Sequence, residues 1–442
     1  MRLTGLATTA GILACLMPRQ VRIDRKGSYW LVIGAGVCAA LHVGKISPAL
    51  PELRESLGLS LLQSGFLLSL VQLAGMLMGL LVGAAADAVG LRRSMLAGLL
   101  LLSVAGAAGG WAYDAPTMLA LRALEGVGFL LVVLPAPGMI RLLAPAHRGS
   151  AAFGYWGMYM PLGTALAMLC GPLVLQVAGW RVAWWLLSAI SLLMALCLWR
   201  FVDSDSSSEK IVAEKSGRDA REHVGHWVAR LRMTLSARGP WLLALSFAAY
   251  SSQWLAVIGF LPSVALQMGA SGQAVGPVLA LAALVNIIGN MASGRLLQRG
   301  RPAHLLLTIG FGAMALGAVV AFAGLSETSA SLPELCLRFL GVLVFSMVGG
   351  LVPGTLFALS GALSPGKANV STTVGWVQQW SAAGQLVGPP VVAAMASLAG
   401  GWHWTWVFAA TTSALGLVFA RAIAQELEPQ GGIGRRGHSR RK

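Results

Sequence analysis

Charge is scarce in this sequence: Asp, Glu, Lys and Arg together make up 11% of its 442 residues, where a soluble domain carries roughly 25%. With 56% of residues hydrophobic, the chain cannot cover itself with a surface that water would dissolve. Acids are rarest, 16 Asp and Glu against 32 Lys and Arg, with seven His. They are scattered and form no catalytic or metal-binding constellation, which argues against a membrane-embedded enzyme and leaves no cofactor or metal to expect. Cys15, Cys38, Cys170, Cys197 and Cys336 lie in apolar runs without CxxC or any metal-ligand spacing, so they read as small core residues. Polar stretches are short as well. The longest, Asp203 to Arg238, cannot hold a core of its own, which speaks against a non-transporting sensor with an appended soluble domain.

What the chain does have is a succession of apolar blocks of about 20 residues, each long enough to cross a bilayer. Length and turn punctuation place spans near 29–50, 61–86, 94–112, 116–139, 149–177 and 183–201, then 239–262, 273–296, 303–324, 333–359, 368–398 and 403–424. This is an all-α membrane protein of twelve transmembrane helices. The 55 Gly and 19 Pro suit a lipid-embedded bundle, where small residues let helices approach and neighbours re-satisfy freed backbone groups. Its parts are a 1–28 N-terminal segment, a 29–202 six-helix bundle, a 203–238 linker, a 239–424 six-helix bundle and a 425–442 basic tail.

A formal charge of +16 could suggest nucleic acid, but the basic residues fall in alternate loops. Only Arg54 and Arg181 lie in loops of the opposite side, while Lys45, Arg122 and Arg338 fall within or near spans. This asymmetry is the positive-inside rule and places the N- and C-termini in the cytoplasm of a multi-pass protein, by its style a bacterial inner-membrane one. The tail Arg435, Arg436, Arg440, Arg441 and Lys442 then meets lipid headgroups and no nucleic acid is expected as a partner. Residues 1–18 resemble a signal-peptide apolar region, although the Arg-rich segment after them suits the cytoplasmic face better.

The halves read as repeats. Leu119-Ala-Leu-Arg122 aligns with Leu335-Cys-Leu-Arg338, and at the same offset of 216 residues Pro137-Gly138 aligns with Pro353-Gly354. Gly171-Pro172 with Gly388-Pro389 and Gly179-Trp180 with Gly401-Trp402 follow at drifting offsets. Two related bundles can enclose a cavity that opens to one side at a time.

Between the second and third spans the chain reads Gly83-Ala-Ala-Ala-Asp87-Ala-Val-Gly90-Leu-Arg92-Arg93. Gly83 and Gly90 permit close approach and a tight turn, and Asp87 at a helix end can pair with basic groups that hold neighbouring helices in one conformation, so the loop, with Arg92 and Arg93, can act as a conformational gate. It resembles the signature loop of the major facilitator superfamily. Weaker matches extend the resemblance from about Tyr29 to Ala424: Arg122-Ala-Leu-Glu-Gly126-Val-Gly128 looks like the family's fourth-helix Arg motif. Met160-Pro-Leu-Gly163 with Gly171-Pro172 looks like the fifth-helix motif of proton antiporters, although Leu173-Val174-Leu175-Gln176 replaces its paired glycine. The resemblance implies the major facilitator fold, two pseudo-symmetric six-helix bundles. It also implies secondary transport of a small-molecule substrate by alternating access through a lipid bilayer, with protons as the coupling partner. Export of a siderophore, metabolite or drug follows from the partial fifth-helix motif and an aromatic cavity; cyanate and nitroimidazole permease-like members leave uptake of a small anion open.

Candidate site residues fall into two sets. Arg122 and Glu125 are three apart on one helical face, and a charge inside a bilayer is costly enough to point to function. Glu125 is the candidate proton carrier with Arg122 as its moving partner; the plainer alternative is a static ion pair. For substrate binding, His42 and Lys45 lie near Pro48 and Pro51 and favour an anionic or chelating solute, unless Lys45 snorkels to the interface. Tyr155 with Tyr159, Tyr250 with Gln253 and Trp254, and Trp376 with Gln379 and Trp380 recur at helical spacing, and Asn286 and Asn290 share a face. Together they would line a polar, aromatic pocket, or, singly, serve as packing glue.

Overall fold

Every regular element among the described residues is a helix. The computed structural model describes residues 28–80, 90–145, 152, 155–202, 220–269, 275–324, 331–366 and 369–427. In the first half four helices are long and apolar enough to cross a membrane: α1 (Ser28–Leu57), α2 (Leu61–Leu80), α3 (Leu91–Gly109) and α4 (Ala115–Leu143). A fifth element, Tyr159–Phe201, runs to 43 residues, about twice what a bilayer needs. It breaks at Gly179, whose φ of 75° and ψ of 172° suit a residue without a side chain. We therefore treat it as two spans, α5 (159–178) and α6 (180–201). The second half supplies α7 (Arg238–Gln267), α8 (Gly276–Gln298), α9 (Ala303–Phe322), α10 (Leu332–Leu359), α11 (Val370–Ala399) and α12 (Trp402–Leu427). Among the described residues twelve spans result, as the sequence predicts.

Local chemistry sets the ends. Ser60 opens α2 with a capping box: its hydroxyl accepts from Gln63 N–H at 3.1 Å while the Gln63 carbonyl accepts from Ser60 N–H at 2.9 Å. Asp114 caps α4 by accepting from Thr117 N–H at 2.8 Å. The carboxylate of Glu52, reaching over from α1, accepts from Trp180 N–H at 3.2 Å and so tops the first turn of α6.

Two boundaries differ from the sequence reading. We expected α1 to stop near residue 50, at its prolines, but it runs on to Leu57. Pro48 falls in the first turn of the segment Ile46–Leu57, where a missing N–H costs little, and the interruption sits instead at Lys45. Likewise α4 continues to Leu143 across a turn at Pro135. The expected linker lies outside the described residues in its first part, 203–219. Its end forms a helix, Ala220–Ser236, tied to the bundle where Asn369 Nδ2 donates to Arg230 O (2.9 Å) and Trp241 Nε1 to Leu235 O (2.8 Å).

Exposed aromatics gather at two levels. Trp30, Tyr155 and Trp199 lie at the face where α1 begins, and Trp111, Tyr113, Trp185 and Trp404 at the opposite face. Paired aromatic rims of this kind mark the two edges of a bilayer. Between them one buried core joins the halves, running from Ile46, Leu50 and Leu53 of α1 and Leu67 of α2 into Val257 and Phe260 of α7.

Candidate functional site

Pro48 has no N–H to offer Gly44, so the ladder of α1 is loosened just where His42 and Lys45 turn inward. Arg122 of α4 takes the two carbonyls that precede Gly44. It donates to His42 O at 2.6 Å, to Val43 O at 3.4 Å and, across to α2, to Leu67 O at 3.0 Å. The same Nη1 that reaches His42 O also donates to Glu125 Oε2 at 2.7 Å. The other carboxylate oxygen, Oε1, receives Lys45 Nζ and lies 3.3 Å from His42 Nδ1. His42 Nε2 is 2.8 Å from Ser191 Oγ of α6, and Lys45 Nζ sits 4.4 Å from the centre of the Trp184 ring, a cation–π contact.

All four groups are withdrawn from solvent: His42 is 0% exposed, Arg122 1%, Glu125 2% and Lys45 8%. Lys45 does not run out to the interface. Two sets that the sequence kept apart, one for substrate and one for protons, are a single cluster in which the Glu125 carboxylate bridges Lys45 and Arg122. With a neutral imidazole it holds two cations and one anion. Charges so deeply buried are tolerable only where each has a partner, and here Glu125 is the partner of both.

Gly106 of α3 forms the remaining wall. A methyl group on it would stand 2.6 Å from Ser188 Oγ, 3.2 Å from His42 Cε1 and 3.3 Å from Glu125 Oε1. Gly106→Val is expected to destabilise the purified protein by about 1–3 kcal/mol through overpacking. Thermal unfolding in detergent checks this, and an unchanged midpoint would mean that the wall yields.

The equivalent arginine of the second half works differently. Arg338 donates to Ala321 O, Ala323 O and Gly324 O at the end of α9, and to Glu334 Oε1 at 2.7 Å. It closes a helix end near the surface and has Gly341 where Arg122 has Glu125.

Of the other sequence-predicted residues, Tyr250, Trp254, Asn286 and Asn290 are brought together. Asn286 Nδ2 donates to Tyr250 OH (2.9 Å) and to Ser346 O (2.8 Å), Asn290 Nδ2 to Asn286 Oδ1 (2.8 Å), and Trp254 Nε1 to Ser346 Oγ (3.3 Å). Gln253 points instead at α12, accepting from Ser413 Oγ at 3.1 Å. Tyr155 lies on the outer surface with its ring 5.0 Å from Trp30, and Tyr159 stacks on Trp156 at 4.4 Å. Trp376 and Trp380 pack edge-to-face on Trp241 at 4.9 and 5.5 Å. Gly90 precedes α3 with φ 101° and Arg92 Nη2 donates to Trp199 O, pinning α3 to the end of α6; Arg93 stands in the first turn of α3. Gly83 and Asp87 lie outside the described residues.

Gln379 belongs to the seam between the halves. Its Nε2 donates to Met76 O at 2.7 Å and its Oε1 accepts from Leu80 N–H at 3.3 Å, so one amide engages both groups of a single turn of α2. Further along, Gln72 Nε2 donates to Gln385 Oε1 at 3.0 Å. Two net hydrogen bonds of this kind contribute about 1 kcal/mol or slightly more. Gln379→Ala should therefore shift the equilibrium between closed and parted seam by roughly fivefold toward the parted form. Single-molecule energy transfer between labels on α2 and α11 reads this directly; no shift would mean that packing alone closes the seam.

Ser191, Gly106, Gln72 and Gln385 were not singled out from sequence. For the glutamines a signal existed, since an amide in mid-span is expensive unless it is bonded.

The family model described as Major Facilitator Superfamily matches residues 32–368. Among curated proteins, the chain is 31% identical to the puromycin resistance protein pur8 of Streptomyces alboniger over 38% of this chain and 33% of that one. It is 24% identical to the hexuronate transporter of Bacillus subtilis over 59% and 61%, and 26% identical to the cyanate transport protein CynX of Escherichia coli over 59% and 62%. The matches thus span from a third to about three fifths of those relatives. Among solved structures, the inward-open xylose transporter XylE from E. coli superposes with a TM-score of 0.72 at 16% identity, covering 93% of this chain and 98% of that one. A bacterial homologue of the human lysosomal transporter Spinster gives 0.69 at 16%, covering 91% and 97%. These likenesses establish the fold.

Proposed function

Because the chain belongs to the Major Facilitator Superfamily, a family of transporters of small solutes, we propose that it is a proton-coupled exporter of a small organic molecule with Glu125 as the proton carrier. Its termini face the cytoplasm of a bacterial inner membrane in this reading, and the likeness to a puromycin resistance protein supports the outward direction. The observation that carries it is the position of Glu125, the only acidic side chain buried among the described residues. Protonation removes the charge that holds Lys45 and weakens the hold on Arg122. Those two cations bind α1 and α2 to α4, and α1 and α2 are also helices that meet the other half, α1 through Leu50 and Leu53 in the shared core and α2 through Gln72 and Met76. A proton on Glu125 thus bears on the contacts that must change when the halves rock.

One observation favours a second reading, uptake of a small anion. Two cations face one carboxylate, so a protonated Glu125 leaves positive charge that an anion would balance, and anion and proton would then travel together. The two readings differ in the sign of proton movement. In proteoliposomes with a pH dye inside, puromycin exchange against an acidic lumen should alkalinise it, whereas cyanate or glucuronate entering with protons should acidify a neutral one. A labelled solute crossing with no proton movement would sink both forms of coupling.

A further inference from the structure

His42 stands between partners that make opposite demands on its ring. The hydroxyl of Ser191 has one proton and three groups in reach: Leu187 O at 3.1 Å, four residues back on α6, His42 Nε2 at 2.8 Å and Cys38 Sγ at 3.4 Å. Lys45 Nζ, which can only donate, stands beside Nδ1 and favours the ring with its hydrogen on Nε2, the Ser191 proton then going to Leu187 O. In a neutral ring Nδ1 is then bare. It faces Glu125 Oε1 at 3.3 Å and Lys45 Nζ at 3.4 Å. Beside a carboxylate this sets two lone pairs against each other, with Lys45 donating between them. Beside a protonated Glu125 the same nitrogen is an acceptor already in place.

We infer that His42 is the positioning residue for the transported proton: when Glu125 is protonated on Oε1, that O–H donates to His42 Nδ1 and Lys45 is released. The inference rests on the reading of Glu125 as the proton carrier. One proton arrives from water, one O–H bond forms, and the hydrogen bond from Lys45 Nζ to Oε1 is given up. Arg122 of α4 keeps Oε2. The remaining groups about the ring are Cys38 Sγ, 3.4 Å from Ser191 Oγ, the hydroxyl of Ser188 beside Gly106, and the bare wall at Gly106 itself. Among the described residues, Glu125 and Lys45 are the titratable side chains within reach of Nδ1, so it has no competing acid to serve. The imidazole keeps this tautomer while the Ser191 proton is on Leu187 O; a hydroxyl turned toward Nε2 would admit the other tautomer, which carries a hydrogen on Nδ1 and cannot accept.

The test needs no transported solute. Full-length protein in lipid nanodiscs is moved between alkaline and acid buffer while infrared difference spectra follow the protonated carboxyl stretch, assigned to Glu125 by its loss in Glu125→Gln. In His42→Leu that band should move to higher wavenumber, because the O–H has lost its acceptor. His42→Asn, which keeps an oxygen acceptor near the place of Nδ1, should restore it. Ser191→Ala should split the band as the second tautomer is admitted. Should His42→Leu not fold, Ser191→Ala and nitrogen NMR of the histidine-labelled wild-type protein decide: a bare Nδ1 on His42 in alkaline buffer is the expected result, and a hydrogen on it overturns the inference. A Glu125 band that ignores both His42 and Ser191 overturns it too, while leaving Glu125 as the carrier. No Glu125 band at any pH removes the carrier and the inference together.

Discussion

Glu125→Gln should lower proton-driven solute accumulation by about a hundredfold or more, the scale on which loss of a positioned proton carrier is felt, while equilibrium exchange of solute across the same vesicles persists. Glutamine has the shape of the carboxylate but one acceptor oxygen in place of two and an amide donor in place of the other. It can satisfy Lys45 or Arg122, not both, and it cannot titrate. Exchange requires the halves to rock with solute bound and needs no change in protonation, so the two assays separate coupling from movement. If accumulation survives in Glu125→Gln, the carrier lies elsewhere and Glu125 is a structural counter-ion of Lys45 and Arg122.

Arg122→Ala should be the most damaging single change to the folded state. It strips the His42, Val43 and Leu67 carbonyls of their donor at once, and it leaves the Glu125 carboxylate with Lys45 alone. Removing one partner of a buried pair typically costs about 3–5 kcal/mol, and the bared carbonyls add to that in a medium without water. Unfolding of the purified protein by a graded denaturing detergent measures the loss. Arg122→Lys keeps the charge but has neither the fork nor the reach to serve four oxygens, so it should recover less than half. If it restores stability in full, the carbonyl contacts contribute nothing and charge alone matters.

The fold was nearly all readable because a membrane span is a local signal: apolar length, a Gly or Pro at the turn, and basic residues on alternate sides. Even the break inside Tyr159–Phe201 was visible, since the spans read at 149–177 and 183–201 leave Gly179 between them. Failures came where a local rule met a tertiary remedy. Pro48 and Pro51 read as the end of α1, yet the helix continues past them, and Arg122 takes the carbonyls of His42 and Val43 just before that stretch. The candidate site was readable in halves. Spacing of three joined His42 to Lys45 and Arg122 to Glu125, but the bond from Lys45 to Glu125 spans 80 residues and depends on how α1 lies against α4. Without that contact, Lys45 looked free for a solute. Gln379 misled in a similar way: a lone amide among tryptophans looks like a pocket residue, and only the packing of α2 on α11 reveals what it holds.

The grip of Gln379 on α2 has a consequence for how easily the seam can come apart. Met76 O and Leu80 N–H are four residues apart, the very pair that an undisturbed helix would bond to each other. When the amide withdraws, each group still has the other as a partner along the helix, and neither is stranded in a medium where an unbonded backbone group costs several kcal/mol. The latch therefore carries its own spare part. A closure built this way gains little by closing and loses little by opening, which is what a machine that must pass through both positions in every cycle requires.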